Sequence, residues 1–378
     1  MPSLFLLLLV SLFSCYAQAA DNILIPPAPR IAARSYILQD FHSGRVLAEK
    51  DADLRLAPAS LTKIMTAYVV FRELNNGHLS LDEKVTISKK AWQTPGSRMF
   101  VEVNKQVAIE DLLKGMIIQS GNDASVALAE HVAGDENTFA QLMNQHAKRL
   151  GMNNTHFTNS MGLPGPDHYT TARDMATLTR ALIREFPNYY GWYSLREFTF
   201  NDITQQNRNK LLWRDKSVDG VKTGHTEEAG YCLVTSAQRS GMRLVSVVMG
   251  TSSVNARTNE SQSLLNYGFW FFETHRLYKA HEPLSEAKVW KGDNDKVDLG
   301  LAEDLYVTIP RRHYNDLKAV INIDSRIMAP VAEGEKFGNV TVKLAGETVA
   351  NKPLIALNSI DKGSFVQRLY DEAMLMIQ

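Results

Sequence analysis

Ser60 and Lys63 place a hydroxyl and an amine three residues apart, where an apolar, helix-like stretch over residues 61–74 begins. Residues i and i+3 share one face of a helix, so the amine can reach the Ser60 hydroxyl. A lysine that is held neutral can accept the hydroxyl proton, and the free N–H groups of a helix start suit an oxyanion. The pair predicts serine acyl transfer, with Ser60 as the nucleophile and Lys63 as the base.

The same S-x-x-K spacing occurs twice more, at residues 285–288 and 359–362. Neither of these strings opens an apolar helix. A capping serine followed by a solvated lysine is the plain alternative for any single string of this kind. The interpretation of Ser60 therefore depends on what else the chain provides.

A second polar string, residues 120–122 (SGN), lies between two predicted helices. A tight glycine turn at this point can bring the hydroxyl of Ser120 and the amide of Asn122 into one cleft. The alternative is an ordinary helix N-cap and turn.

A third string, residues 222–224 (KTG), precedes a pair of predicted strands. On an edge strand, Lys222 would offer a fixed positive charge for a carboxylate and Thr223 a hydroxyl. Gly224 would let a substrate backbone approach closely. The alternative is the plain end of a surface strand.

The elements around these strings predict an α+β domain over residues 30–275. Residues 35–40 and 46–48 read as a β-hairpin, and residues 231–235 and 243–249 read as two paired strands in a largely antiparallel sheet. Apolar periodicity with start and stop signals predicts helices over residues 61–74, 109–118, 124–133, 136–150 and 259–274.

After residue 280 the pattern changes to short alternating strands, including residues 305–310, 317–323, 339–344 and 354–357. This predicts a small all-β domain over residues 280–358. A tail over residues 360–378 follows, in which apolar side chains recur at helical spacing. Its charged residues, Asp371 and Glu372 against Arg368, give it no basic face for anionic lipid.

Residues 1–20 combine an apolar run with a small-residue stretch at 17–20, which is the pattern of a secretory signal peptide. The run is short of the roughly 20 residues that a membrane anchor needs. A lipoprotein signal around Cys15 is disfavoured, because the bulky Phe13 lies where a small residue is usual. We therefore expect an exported protein.

The composition excludes several classes of partner and cofactor. The 41 basic and 41 acidic side chains cancel, so no global field favours nucleic acid. Removal of the signal peptide leaves one cysteine, Cys232, in an apolar run typical of a buried strand. The ten histidines show no metal-ligand spacing, so we expect no metal and no cofactor.

Together, S-x-x-K, S-x-N and K-T-G in this order are the signature of penicillin-binding proteins and serine β-lactamases. The sequence resembles the D-alanyl-D-alanine carboxypeptidases among the low-molecular-mass penicillin-binding proteins, over nearly the whole mature chain. The segments that carry the resemblance are residues 58–63 (PASLTK), 119–124 (QSGNDA), 219–226 (DGVKTGHT), 153–157 (NNTHF), 207–209 (NRN) and 308–310 (TIP).

The resemblance implies a transpeptidase-like catalytic domain and a substrate, the peptidoglycan stem peptide ending in D-Ala-D-Ala. It also implies covalent inhibition by β-lactams. Ser60 would form the acyl-enzyme, Lys63 would act as base, and Ser120 would relay a proton to the leaving amine. The remaining implied roles are an acyl-side contact from Asn122, carboxylate binding by Lys222 and Thr223 with Arg257, close approach at Gly224, and oxyanion stabilisation by the N–H groups of Ser60 and His225.

Two other functions stay open at this point. A serine β-lactamase shares these motifs, but class A enzymes need an extra Glu for deacylation, and residues 162–173 contain none. A non-catalytic wall-binding scaffold would leave the complete set of motif residues unexplained. By resemblance, the tail would attach the enzyme peripherally to the outer face of the inner membrane, in the periplasm.

Overall fold

The structure is a computed structural model that describes residues 23–377; the predicted signal peptide lies outside the described residues. The strands are β1 Ser35–Asp40, β2 Val46–Lys50, β3 Lys84–Thr86, β4 Gln106–Ala108, β5 Glu197–Phe200, β6 Ile203–Gln206, β7 Val218–Thr226, β8 Gly230–Arg239, β9 Met242–Thr251, β10 Phe272–Tyr278, β11 Ser285–Trp290, β12 Lys296–Gly300, β13 Leu305–Pro310, β14 Leu317–Ile323, β15 Ile327–Met328, β16 Lys336–Leu344 and β17 Glu347–Ala356. The α-helices are α1 Lys63–Asn75, α2 Lys89–Gln93, α3 Ile109–Lys114, α4 Asn122–Ala133, α5 Glu136–Arg149, α6 Ala172–Glu185, α7 Pro187–Tyr190, α8 Leu211–Arg214, α9 Val254–Phe271 and α10 Phe365–Ile377.

A five-stranded sheet in the order β2-β1-β9-β8-β7 forms the centre of the larger unit, and all its neighbours are antiparallel. The predicted hairpin and the predicted strand pair are both confirmed. β7, which carries the KTG string, lies at one edge of the sheet as expected. This unit comprises Pro26–Glu282 and Glu303–Arg311.

The two faces of the sheet bury different side chains, because successive residues of a strand point to opposite sides. Ile37 and Val245 join the main core, which is built with helices α1, α3, α4, α5 and α6. Leu38 and Leu244 lie on the other face, against Gly268 of α9. Helices therefore cover both faces, and burial of each large apolar side chain contributes about 1.5–3 kcal/mol.

Ser60 lies just before a deeply buried helix. The chain enters through a 3₁₀ turn, Ala59–Thr62, and continues as α1, in which Ile64 to Phe71 are all fully buried. The predicted helix over residues 61–74 is confirmed, with its first turn tighter than an α-helix. A helix packed this closely gives the reactive turn a fixed position.

Two predicted helices differ from the structure at their ends. The helix predicted over 109–118 changes after Lys114 to a π-helical turn, Gly115–Gln119; a side chain at Gly115 would collide with Met99. The helix predicted over 259–274 begins at Val254, because Ser253 Oγ accepts a hydrogen bond from the Ala256 N–H. It ends at Phe271, where β10 starts.

The smaller unit comprises Pro283–Ala302 and residues 312–377. Its sheet has the order β14-β16-β17-β12-β11-β15, antiparallel except for β11 and β15. The segment 305–310, which the sequence analysis grouped with the all-β domain, forms β13 and pairs antiparallel with β10. The sequence pattern does not encode that partner.

Helix α10 ends the smaller unit and confirms the helical spacing of the tail. Within residues 23–377, no helix has both the length and the apolar character that crossing a membrane requires.

Candidate active site

Ser60 and Lys63 meet at the junction of the 3₁₀ turn and α1. The Lys63 Nζ lies 3.1 Å from the Ser60 Oγ, and the lysine side chain is 1% exposed, whereas Ser60 is half-buried. The amine is thus sequestered while the hydroxyl remains open to a substrate. The i, i+3 spacing places the two groups as the sequence analysis expected.

Lys63 has two further partners, and both are acceptors only. Its Nζ donates to Asn122 Oδ1 and to the carbonyl oxygen of Met161, each at 2.7 Å. A neutral amine has two protons and one lone pair. With both protons given to these acceptors, the lone pair points to Ser60, the only one of the three partners that can donate. This arrangement prepares Lys63 to take the serine proton.

The pKa of Lys63 is lowered to about 7, chiefly by burial and also by the positive charge of Arg208, while Asp123 opposes the shift. An amine with this pKa is about half neutral at pH 7, which suits a general base. The three hydrogen-bond partners carry no negative charge that would hold the ammonium form.

Ser120 and Asn122 follow the π-helical turn. Ser120 is 3% exposed and has a left-handed backbone, with φ 70° and ψ 33°. The Asn122 amide is engaged at both ends, because its Nδ2 donates to the Pro95 carbonyl at 2.6 Å while its Oδ1 accepts from Lys63. In this state Asn122 orients the base.

The KTG strand packs against the turn that carries the nucleophile. A Cβ at Gly224 would lie 3.1 Å from the Pro58 carbonyl oxygen and 3.2 Å from the Ala59 Cβ. The glycine thus permits a close approach of β7 to this turn. Next along the strand, His225 is exposed and its ring lies 4.0 Å, centroid to centroid, from the ring of Tyr231.

Positive charge concentrates around Lys222, which is 3% exposed. Burial lowers its pKa well below the usual lysine value, and the charges of Lys63, Arg208 and Arg257 lower it further. Such a group of cations stabilises a bound carboxylate. Thr223, also buried, contributes its hydroxyl from the same strand.

Arg257 lies in the first turn of α9, not before the helix as the sequence analysis placed it. Its Nη1 donates to the Gly224 carbonyl at 2.9 Å and to the Cys232 carbonyl at 3.4 Å. Burial lowers its pKa to about 10. Arg257 therefore stabilises the end of the KTG strand through these two backbone carbonyls. Cys232 is buried with a free thiol, as predicted.

Sequence reasoning missed two contributors. Arg208, noted only within the NRN string, donates from Nε to the Gln119 carbonyl at 3.1 Å and acts electrostatically on Lys63 and Lys222. The sequence signal that could have identified Arg208 was its position between two asparagines. The Met161 carbonyl left no signal at all, because any residue supplies a backbone carbonyl.

The described residues contain no candidate metal site. Within residues 23–377, no three His, Cys, Asp or Glu side chains are grouped as metal ligands would be.

Comparisons with known proteins show which family the chain resembles. The family model for D-alanyl-D-alanine carboxypeptidase matches residues 22–253, and that for the penicillin-binding protein 5 C-terminal domain matches residues 272–362. D-alanyl-D-alanine carboxypeptidase DacA of Escherichia coli (strain K12) is 44% identical over 380 residues, which cover 97% of this chain and 94% of that protein.

Solved structures support the same assignment. Penicillin binding protein 5 from Haemophilus influenzae has a TM-score of 0.86 at 43% identity, over 89% of this chain and 100% of that chain. Penicillin-binding protein D2 from Listeria monocytogenes, in its ampicillin-bound form, has a TM-score of 0.60 at 30% identity, over 64% and 100%. The predicted α+β fold with a C-terminal all-β domain is confirmed. The chain belongs to the D-alanyl-D-alanine carboxypeptidases, a family of serine hydrolases.

Proposed function

We propose that Ser60 is the nucleophile that removes the terminal D-alanine from peptidoglycan stem peptides. The observation that supports this best is the hydrogen bonding of Lys63, whose two acceptors leave its lone pair for Ser60. Lys63 is the general base, and its pKa of about 7 suits that role at neutral pH.

In the first step, the Ser60 Oγ bonds to the carbonyl carbon of the D-Ala-D-Ala bond, and its proton passes to the Lys63 Nζ. The C–N bond then breaks, and the leaving nitrogen takes that proton through Ser120. Water next attacks the ester, one of its protons returns to Ser60, and the acid is released. The N–H groups of Ser60 and His225 stabilise the oxyanion in both steps.

Lys222 and Thr223 bind the terminal carboxylate of the substrate. Arg208 and Arg257 add positive potential, although Arg257 acts through the Gly224 carbonyl and the local field. We assign Asn122 first to orienting Lys63; it reaches the acyl side of the substrate only by exchanging one of its present partners.

β-Lactams are covalent inhibitors in this proposal, and the ampicillin-bound Listeria relative supports it. Residues 162–173 contain no Glu, and the hydrogen-bond partners of Lys63 include no carboxylate that could activate a deacylating water. The acyl-enzyme formed with a β-lactam should therefore persist, which distinguishes this protein from a serine β-lactamase.

The test is intact-mass spectrometry after brief incubation with benzylpenicillin, followed by peptide mapping. We expect a stable adduct on the peptide containing Ser60, no adduct in Ser60→Ala, and release of D-alanine from a pentapeptide by the wild type alone. Fast turnover of the drug would instead indicate a β-lactamase. Full cellular function of Ser60→Ala would indicate a scaffold.

We also propose that the mature enzyme works in the periplasm, held peripherally on the outer face of the inner membrane by α10. The signal-peptide pattern of residues 1–20 supports export. Cell fractionation with a periplasmic and a cytoplasmic marker tests this. Recovery of the full-length chain with the cytoplasmic marker would contradict it.

A further inference from the structure

His168 is a buried histidine that the mechanism above does not use. Its ring is 3% exposed and lies on the segment that follows Met161, whose carbonyl holds the base. The Nδ1 accepts from the backbone N–H of Thr158 at 2.9 Å, and the Nε2 lies 2.9 Å from the Thr62 Oγ1. Thr62 is the last residue of the 3₁₀ turn that carries Ser60, and it directly precedes Lys63.

These contacts determine the tautomer of the ring. A backbone N–H can only donate, so the lone pair is on Nδ1 and the single proton of a neutral imidazole is on Nε2. The Nε2–H therefore donates to Thr62. Burial lowers the pKa of His168 to about 4, so this neutral form prevails at neutral pH.

Thr62 occupies the N-cap position of α1, where a threonine hydroxyl usually accepts a hydrogen bond from its own helix. Here the side chain makes no such cap. Its hydroxyl contacts His168 instead, and the two residues that follow His168 are held by backbone bridges. Tyr169 bridges His156, and Thr170 bridges Leu56, just before the reactive turn.

We propose that His168 is a positioning residue of the carboxypeptidase reaction, which holds the Ser60–Lys63 turn in register with the loop carbonyl of Met161 through its bond to Thr62. The inference rests on the proposed function of this site. The hydrogen bond between His168 and Thr62 holds the turn in place. The Lys63 amine can then contact the Ser60 hydroxyl and its two acceptors at the same time. Loss of the bond to Thr62 should slow acylation rather than unfold the protein.

Two substitutions separate the two hydrogen bonds. The amide oxygen of asparagine takes the place of Nδ1, so His168→Asn keeps the bond from Thr158 and loses the donor to Thr62. The amide nitrogen of glutamine takes the place of Nε2, so His168→Gln keeps the donor to Thr62 and loses the bond from Thr158. The strand-like bridges of Tyr169 and Thr170 keep the backbone in place in both variants.

The measurements are the second-order rate constant of acylation by a fluorescent penicillin, kcat/KM for D-alanine release, and the thermal unfolding midpoint. We expect His168→Asn to lower the acylation rate by about tenfold or more, since small displacements of reacting groups are costly. We expect His168→Gln to stay within about threefold of the wild type, with similar unfolding midpoints in the two variants.

Equal acylation rates in the two variants, or a larger loss in His168→Gln, would overturn the proposal and leave His168 as a loop-packing residue. Thr62→Val combined with His168→Asn should lose no more than the slower single variant, because both remove the same bond. A wild-type protein that forms no adduct and releases no D-alanine would instead refute the proposed function.

Discussion

At the residue scale, the protonation state of Lys63 controls the proposed chemistry, because only the neutral amine can accept the Ser60 proton. Its pKa is lowered to about 7, so the neutral fraction rises as the pH rises through that value. We expect the acylation rate to fall about tenfold per pH unit below pH 7 and to level off above it. Stopped-flow measurements with a fluorescent penicillin from pH 5 to 9 check this; a flat profile would contradict it.

The charge of Arg208 should set the midpoint of that pH profile. Its positive charge lowers the Lys63 pKa, so Arg208→Gln should move the midpoint to higher pH. Arg55→Gln, at an exposed arginine that donates to Asn154, should leave the midpoint where it is. A shift of equal size in both variants would show that the effect is not local.

His168 predicts a second pH dependence, in stability. Its pKa is lowered from 6.5 to about 4, so below pH 6.5 the unfolded chain binds a proton that the folded chain does not. The folded state therefore loses stability as the pH falls from about 6.5 to about 4, by about 3 kcal/mol in all. Above pH 6.5 the effect is absent.

His168→Gln removes this titration. Urea unfolding at pH 7 and pH 4.5 should thus show a smaller loss of stability in the variant than in the wild type, while the carboxylates titrate alike in both. The same loss in the two proteins would mean that His168 is protonated in the folded state.

At the scale of elements, the loop from Asn159 to Gly162 must press against the reactive turn. Gly162 has φ +91°, and a Cβ there would lie 1.8 Å from the Ala59 carbonyl oxygen. Gly162→Ala should displace the Met161 carbonyl from Lys63, reduce acylation at least tenfold and destabilise the fold by about 2–4 kcal/mol. Acylation kinetics and urea unfolding measure both effects.

Gly165 in the same loop is the matched control. Its nearest neighbour would be the Thr158 hydroxyl, 3.3 Å from an added Cβ, and its φ lies outside the left-handed region. Gly165→Ala should therefore stay close to the wild type. If the two variants behave alike, the close contact of this loop with the turn is not what Lys63 depends on.

At the scale of the whole molecule, the proposed membrane contact of the terminal helix makes predictions about its exposed side chains. Both acidic residues contact Lys291, since Asp371 accepts from the Lys291 N–H at 2.5 Å and Glu372 pairs with the Lys291 ammonium. Six apolar side chains are left more than 60% exposed: Phe365, Val366, Leu369, Tyr370, Met376 and Ile377. The sequence analysis noted that Asp371 and Glu372 leave the tail without a basic face. In the structure both residues contact Lys291, and the strongly exposed side chains of the helix include these six apolar ones.

We expect deletion of residues 364–378 to abolish sedimentation with phospholipid vesicles and to leave acylation of Ser60 unchanged. A Leu369→Ser, Tyr370→Ser double variant of the full chain should weaken vesicle binding in the same direction. Binding that persists in the deleted protein would locate the membrane contact elsewhere.

The sequence by itself identified Ser60 and Lys63 as the proposed nucleophile and base, together with the three motif strings, because local rules govern them. The i, i+3 spacing of Ser60 and Lys63, the glycine turn after Ser120 and the position of Lys222 just before a predicted strand pair each depend on a few neighbouring residues. The hairpin, the antiparallel strand pair and helices α1, α3, α4, α5 and α9 followed from the same short-range patterns, whereas α6 was not predicted.

Only the tertiary structure decided the partners that lie far apart in the chain. The Met161 carbonyl, the field of Arg208, the brace from Arg257 and the tie from His168 all join segments that are 30 to about 150 residues apart. The pairing of Leu305–Pro310 with β10 is of the same kind. Such contacts depend on how elements pack, and a backbone carbonyl or a buried imidazole has no sequence pattern that announces it.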